Sequence, residues 1–286
     1  MNSARFSIVE RASIKVRQIR FRHKDNAPYL SGDSFASICD YIVESNEDVE
    51  RISAKDINGA TIFCRSDLLP KLLIAINGKG RAKTLVCGNS DFDFLQVPPG
   101  ISQYFERAYL QNSLISDQKS IFTLPIGVKN LDYGINGLPG NLRSSKPWGN
   151  RRDKILVGPF SPTHAERAEL LKVCSALEVC EVLNNYHASP RQYSQLVNDY
   201  KYVAVPRGNG IDTHRFWEAL YRGAIPIVKE SEWSRSLRYL GIPFIEVKEW
   251  SKKALSAVAE QTELGGFEPN EIKSLWIDYW KERFAL

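Results

Sequence analysis

Short apolar runs alternate with stretches of helical spacing along most of the 286-residue chain. In the first half, 59–64 (GATIFC) reads as a buried strand. The segment 66–76 (SDLLPKLLIAI) follows, with a serine placed to cap it and apolar residues at helical intervals. The run 84–87 (TLVC) stops at Gly88-Asn89-Ser90-Asp91. A helix is predicted over 101–109, then strands at 109–111 and 122–126. In the second half the pattern predicts strands at 154–157, 178–183, 201–205, 224–228 and 243–247. Helices are predicted between them at 163–177, 190–199, 212–222 and 232–240. An amphipathic helix over 271–284, carrying Leu275, Trp276, Tyr279 and Trp280, closes the chain's pattern. Strands that alternate with helices predict parallel α/β sheets.

The stretch 134–152 interrupts this rhythm. Gly134, Gly137, Pro139, Gly140, Pro147 and Gly149 fall there, among paired serines and basic residues, which reads as a linker. Residues 1–145 and 146–286 are then two Rossmann-like α/β domains facing each other across a cleft, the second carrying the terminal helix. Open α/β sheets hold ligands at the carboxyl ends of their strands, so the cleft is the expected site.

Composition narrows the class. Hydrophobic residues at 43% and charged residues at 25% are ordinary for a globular protein and exclude a disordered chain, a collagen-like fibre or a coiled coil. The sequence has no apolar run of membrane-spanning length and no secretory-signal pattern at its start. Arg5, Arg11, Lys15, Arg17, Arg20, Arg22 and Lys24 stand against Glu10 alone in the first 24 residues. That reads as the polar face of one or two strands, or as a weak surface for anionic lipid, in peripheral contact with a membrane, or for a phosphorylated acceptor. Nucleic acid is not expected, because no zinc spacing or aromatic RNA-binding signature accompanies the charge. Five cysteines without a CxxC, and four histidines without an HxxxH, predict neither a disulfide framework nor a metal centre. Free cysteines in apolar stretches point to a reducing compartment, the cytoplasm.

The segment 202–228 (YVAVPRGNGIDTHRFWEALYRGAIPIV) concentrates the chemistry. An apolar strand ends at Pro206. Arg207-Gly208-Asn209-Gly210 makes a tight loop, and a helix starts near Asp212 or Thr213, either of which can cap it. At about 100° per residue, Ile211, His214, Arg215, Glu218 and Arg222 share one arc, and Phe216, Ala219 and Leu220 lie opposite. Loop and helix N–H groups with arginines suit a nucleotide diphosphate, and a glutamate further along accepts hydroxyls from a ribose. The plainer alternative is a solvated helix held by Arg215–Glu218 and Glu218–Arg222 pairs.

This segment resembles the signature of exostosin-like glycosyltransferases, family 47 and related bacterial polysaccharide enzymes. Pro206, Arg207, Gly208, Arg215, Glu218, Gly223, Ile225, Pro226 and Val228 match it, and Ile227 departs from it. Bacterial relatives share first-half elements as well: Ser31-Gly32-Asp33 with Phe35, Asn89-Ser90-Asp91, Gln111-Asn112, and Pro125-Ile126-Gly127. The resemblance spans roughly 28–230. It implies a GT-B enzyme whose second domain binds a nucleotide-sugar donor and whose first binds a glycan or lipid-linked acceptor. Transfer inverts the anomeric carbon without an obligatory metal, and no cofactor is expected. Asp91-Phe92-Asp93 is nonetheless an Asp-x-Asp, the pattern that holds a divalent ion on a diphosphate in metal-dependent transferases. The metal-free reading is preferred because the pair falls in the acceptor half. The implied setting is bacterial polysaccharide or lipopolysaccharide synthesis at the inner face of the membrane.

On this reading Arg207 and Arg215 hold the leaving diphosphate, with Arg167 as a third cation. Gly208 and Asn209 line the donor loop, Glu218 takes hydroxyls, and His214 touches phosphate or sugar or serves the structure. Asp91 or Asp33 is the base. Gln111 and Asn112 are acceptor contacts. Trp148, Trp217, Trp233 and Trp250 read as core. Two other classes remain: a non-catalytic sugar-nucleotide or glycan-binding module, and a fucosyltransferase-like or sulfotransferase-like enzyme. A GxxxxGK[ST] phosphate loop is missing, which counts against ATP-type chemistry.

Overall fold

The computed structural model describes residues 26–115, 119–131, 138–143, 146–183, 190–260 and 265–285. The basic stretch 1–24 lies outside them, as do 134–137 and 144–145 of the predicted linker. The protein is α/β, with two five-stranded parallel sheets.

The first sheet runs β1 (Tyr41–Val43), β2 (Thr61–Arg65), β3 (Ala82–Gly88), β4 (Phe105–Gln111) and β5 (Ile121–Leu124), side by side in chain order. Right-handed crossovers that always step the same way leave their helices on one face. That face carries Ile62, Cys64, Leu85, Cys87 and Leu110, packed with residues of α2 (Asn46–Ile52), α3 (Leu69–Ala75) and α4 (Ile101–Tyr104). The opposite face, with Phe63, Val86 and Tyr109, needs a separate cover. It is supplied by α1 (Gly32–Ser37) and by the last helix of the chain.

The second sheet has the order β10-β9-β8-β6-β7. Its strands are β6 (Arg152–Val157), β7 (Cys180–Val182), β8 (Tyr200–Ala204), β9 (Ile225–Lys229) and β10 (Ile245–Val247). The helices are α5 (Ala165–Cys174), α6 (Pro190–Val197), α7 (His214–Tyr221), α8 (Glu232–Ser236), α9 (Lys252–Glu260) and α10 (Ile277–Ala285). From β6 the chain steps one way to β7, then returns to place β8 on the other edge of β6. So α5 and α7, which follow these neighbouring strands, pack on opposite faces of the sheet. A crevice opens between their loops at this reversal.

The terminal helix α10, attached to the second half in the sequence reading, lies on the first sheet. Trp280 packs edge-on against Phe35 at 5.5 Å, and Phe284 against Tyr109 at 4.8 Å. Thr84 Oγ1 donates to Phe284 O at 3.0 Å. One apolar cluster therefore runs from the first sheet through α10 to Phe216, Trp217 and Leu220 of the second half. Burying a side chain of this size contributes about 1.5–3 kcal/mol.

Three expectations need correction. The helix placed at 101–109 ends at Tyr104, because 105–111 inserts between β3 and β5 as β4, in register from Ala82↔Phe105. The terminal helix begins at Ile277 rather than 271, after two short 3₁₀ turns. The three-residue edge strand β1 and the helices α2 and α9 have no counterpart in the apolar pattern read from the sequence. Among the described residues no helix is long and apolar enough to cross a membrane.

Candidate functional site

The carboxyl ends of both sheets meet. The loop after β8 supplies most of the junction, and polar groups of the first half hold it in place. Asn209 Nδ2 donates to Asp91 Oδ2 at 3.0 Å, and Ile211 N to Asp93 Oδ1 at 3.2 Å. The Arg207 guanidinium pairs with Asp93. Asp212 N donates to Asn112 Oδ1 at 2.9 Å. Gly210 passes so close to Asn112 that a Cβ there would stand 2.6 Å from its amide. Only glycine allows that approach.

Asp212 does not cap α7 with its side chain. One carboxylate oxygen accepts from Ile126 N at 2.8 Å and the other from Trp217 Nε1 at 2.9 Å. Burial pushes its pKa up to about 7, against the lowering by these donors.

A cavity of about 510 Å³ opens between the loops after β6 and β8 and the first turn of α7. Three cations line it: Lys129, Arg167 and Arg215. Arg215 donates to Gly158 O at 2.9 Å, to Pro159 O at 2.6 Å and to the Tyr193 hydroxyl at 2.6 Å, and its guanidinium lies over Phe160. Arg167 donates to Arg207 O at 2.9 Å and to Ser161 O at 2.8 Å. Burial, with the neighbouring Arg215 charge, lowers the Arg167 pKa. Among the described residues none of the three cations has a carboxylate within ion-pair distance. Carbonyls thus aim two adjacent guanidiniums without neutralising them, which leaves a field for an anion. Glu218, nearly buried, lines the same cavity, with its carboxylate 3.8 Å from Arg222.

A second cavity of about 480 Å³ lies over the first sheet. Asp33, Glu44 and Asp91 line it together with the amides of Asn89, Gln111 and Asn130. Asp91, Ile126, Lys129 and His214 line both cavities, so the two share a wall. His214, the first residue of α7, is fixed there by a 2.9 Å bond between Nδ1 and Gly127 O. Burial holds its pKa below the ordinary imidazole value.

The structure brings Arg167, Gly208, Asn209, His214, Arg215 and Glu218 together around the first cavity, with Asp91 on the shared wall and Asp33 in the second. Two assignments change. The Arg207 side chain lies outside both cavities, because Asp93 draws it to the seam between the halves. Asn112 is fully buried, with its amide spent on Asp212 N and Ser90 O, and faces neither cavity. Gln111 lines the second cavity, but its amide bonds Asn89 N and Ser90 O and shapes the turn after β3. Arg222, placed on the site arc, is buried against Ser194 and the Glu218 carbonyl.

Sequence reading missed Lys129 and Tyr193, for which no motif gives a signal. It saw Asp212 only as a cap. The Asp-x-Asp carboxylates both point to the 207–211 loop, and among the described residues no three His, Cys, Asp or Glu side chains converge closely enough to hold a metal ion. All five cysteines are free. The chain matches no family model and no curated protein sequence.

Proposed function

We propose that this protein is an inverting GT-B glycosyltransferase of the exostosin-like kind, transferring sugar from a nucleotide-sugar donor to a glycan or lipid-linked acceptor. The observation that carries the reading is the pair of cavities with a common wall: Lys129, Arg167 and Arg215 line the first beside Glu218, and Asp33, Glu44 and Asp91 with three amides line the second beside Arg65 and Lys129. A diphosphate fits against Lys129, Arg167, Arg215 and the N–H groups of 209 and 210, the Gly208 N–H being held by Gly210 O at 3.1 Å. Glu218 accepts a ribose or sugar hydroxyl. The acceptor occupies the second cavity, where carboxylates and amides suit a polyhydroxylated ring. Phe92 and Leu95, 56% and 73% exposed, follow the cavity-lining Asp91 in the chain and offer a lipid-linked acceptor apolar surface.

In the transfer, the acceptor oxygen forms a bond to the anomeric carbon while the carbon–oxygen bond to the diphosphate breaks. The electron pair goes to the leaving oxygen, where the three cations stabilise it. A base on the common wall takes the acceptor proton.

The test is a thermal-shift series on the full chain with UDP, GDP, dTDP, ADP and CMP and their sugars, with and without EDTA. The expected result is an upward shift for one nucleotide family, unchanged by EDTA; a ligand at 100 times its Kd stabilises by about 2.7 kcal/mol. No shift with any of them overturns the donor site. A shift abolished by EDTA overturns the metal-free chemistry.

A further inference from the structure

The wall between the cavities carries the His214 ring, and its orientation is set by the backbone. A carbonyl oxygen only accepts, so the 2.9 Å bond to Gly127 O puts the proton on Nδ1. Gly127 has a φ of +65°, and a Cβ there would sit 2.1 Å from Leu30 O. The carbonyl that fixes the imidazole tautomer therefore belongs to a position where any side chain would collide with the Leu30 backbone.

In the neutral ring the lone pair is then on Nε2. Nε2 bonds no described residue, and it is not among the buried side-chain atoms left without a partner. It is therefore reached from the cavities. Burial disfavours the charged imidazole; Glu218 and Asp91 facing it favour that form, and Lys129 opposes it. The ring is thus neutral near neutral pH, with Nε2 unprotonated and two carboxylates nearby to stabilise a proton once it arrives.

The two aspartates are worse placed. Asp33 lines only the second cavity, and its backbone N–H is tied to Asn130. Asp91 is on the common wall, but one of its oxygens accepts from Asn209 of the donor loop. A base must reach the acceptor hydroxyl where that oxygen meets the anomeric carbon, at the junction of the cavities.

We infer that the imidazole of His214 is the general base, with Nε2 taking the acceptor proton while Nδ1–H stays on Gly127 O. This rests on the glycosyltransferase reading. The acceptor O–H bond breaks and its proton moves to Nε2. The freed oxygen pair forms the glycosidic bond, and the diphosphate leaves with the pair of the broken carbon–oxygen bond. The imidazolium later returns the proton to solvent.

Water serves as the acceptor in the test, since the natural one is unidentified. Binding of UDP, GDP, dTDP and ADP is measured by calorimetry. Nucleoside diphosphate release from UDP-glucose, GDP-mannose, dTDP-glucose and ADP-glucose is followed across pH 5–9. His214→Asn is the informative variant, because its Nδ2 can still donate to Gly127 O while Nε2 is gone. The expected result is nucleotide affinity within about threefold of wild type and release reduced roughly 10²–10⁴-fold. The acid limb of the wild-type pH profile, with its midpoint below the ordinary imidazole value, disappears. Where the Asn variant melts early, His214→Gln, whose amide takes the place of Nε2 without its basicity, tests the same loss of the base.

Release within threefold of wild type with the limb intact overturns the proposal, as does a limb lost in Asp91→Asn and kept in His214→Asn. A wild type that binds a nucleotide but releases none from any of the four sugars overturns an open Nε2 beside the donor carbon. A wild type that binds no nucleotide overturns the donor reading itself, a failure separate from that of the base.

Discussion

The carboxylate of Asp212 accepts the backbone N–H of Ile126 at 2.8 Å, and this bond fastens the entry of α7 in the second half to the end of β5 in the first. The contact has a pH signature. An aspartate titrates near 4 in the unfolded chain, and Asp212 titrates at about 7 in the fold. Between those values the folded state binds more protons than the unfolded one, so stability falls as the pH rises. The contribution is complete below about pH 4 and lost as the pH passes 7. At 1.36 kcal/mol per pKa unit the loss is on the order of 4 kcal/mol. The urea midpoint of wild type is expected to fall between pH 4.5 and 7.5. Asp212→Asn lacks that component, and it is less stable at pH 4.5 because its amide NH2, unlike the hydroxyl of the protonated acid, cannot accept from Ile126 N or Trp217 Nε1. The difference between the two proteins isolates this group from His214, whose lowered pKa acts in the opposite direction. Parallel pH dependences for the two proteins would remove Asp212 from this role.

Arg207 is a strap rather than a phosphate contact. Its side chain and that of Asp93 are 23% and 18% exposed, and Ile211 N shares the same carboxylate. Arg207→Ala is expected to cost about 1–3 kcal/mol of stability, and the double variant with Asp93→Ala to be non-additive by about 0.5–3 kcal/mol. Denaturant titrations of the four proteins measure this. Nucleotide binding should fall less than in Arg215→Ala. A hundredfold loss of binding at unchanged stability would place the guanidinium in the cavity instead.

Gly127 tolerates no side chain, for two reasons: its φ of +65° and the 2.1 Å approach of a Cβ to Leu30 O. Gly127→Ala should lower the unfolding free energy by more than about 1 kcal/mol. Gly140→Ala, where a Cβ meets nothing within 4 Å, is the matched control and should change little. Equal melting temperatures for the two variants would contradict the geometry.

The alternation of apolar runs revealed the α/β class because buried parallel strands are apolar on both faces, as in 61–64 and 202–205. It did not reveal β1, which is three residues long with Ile42 exposed, or the return of α10 to the first sheet. The amphipathic pattern of 271–284 shows that a face is buried, not against what. At the site, the loop and α7 were legible because glycines, a helix start and charged residues follow one another in sequence. Arg215, His214 and Glu218 then follow from helical spacing. The direction of Arg207 was not legible, because Asp93, distant in sequence, decides it. The same holds for Asn112, which reads as a polar strand-end residue until Asp212 N is seen to occupy it.

Lys129 gives the cleanest probe of the anion field. Arg215 and Arg167 also satisfy backbone carbonyls, so removing either unsettles the loops after β6 and β8. The Lys129 ammonium makes no hydrogen bond to a described residue; only its backbone carbonyl does, to Asn26 at 3.3 Å. Lys129→Ala should therefore keep the melting temperature of the free protein while weakening nucleoside diphosphate binding about tenfold, the equivalent of 1.4 kcal/mol. Because the lysine acts through charge across a solvent-filled cavity, its effect should shrink as salt rises from roughly 0.05 to 0.5 M, where screening becomes short-ranged. Calorimetric affinities of both proteins at the two salt levels measure it. A tenfold gap that persists at high salt would indicate a direct, dry contact, and no gap at low salt would remove Lys129 from the anion site.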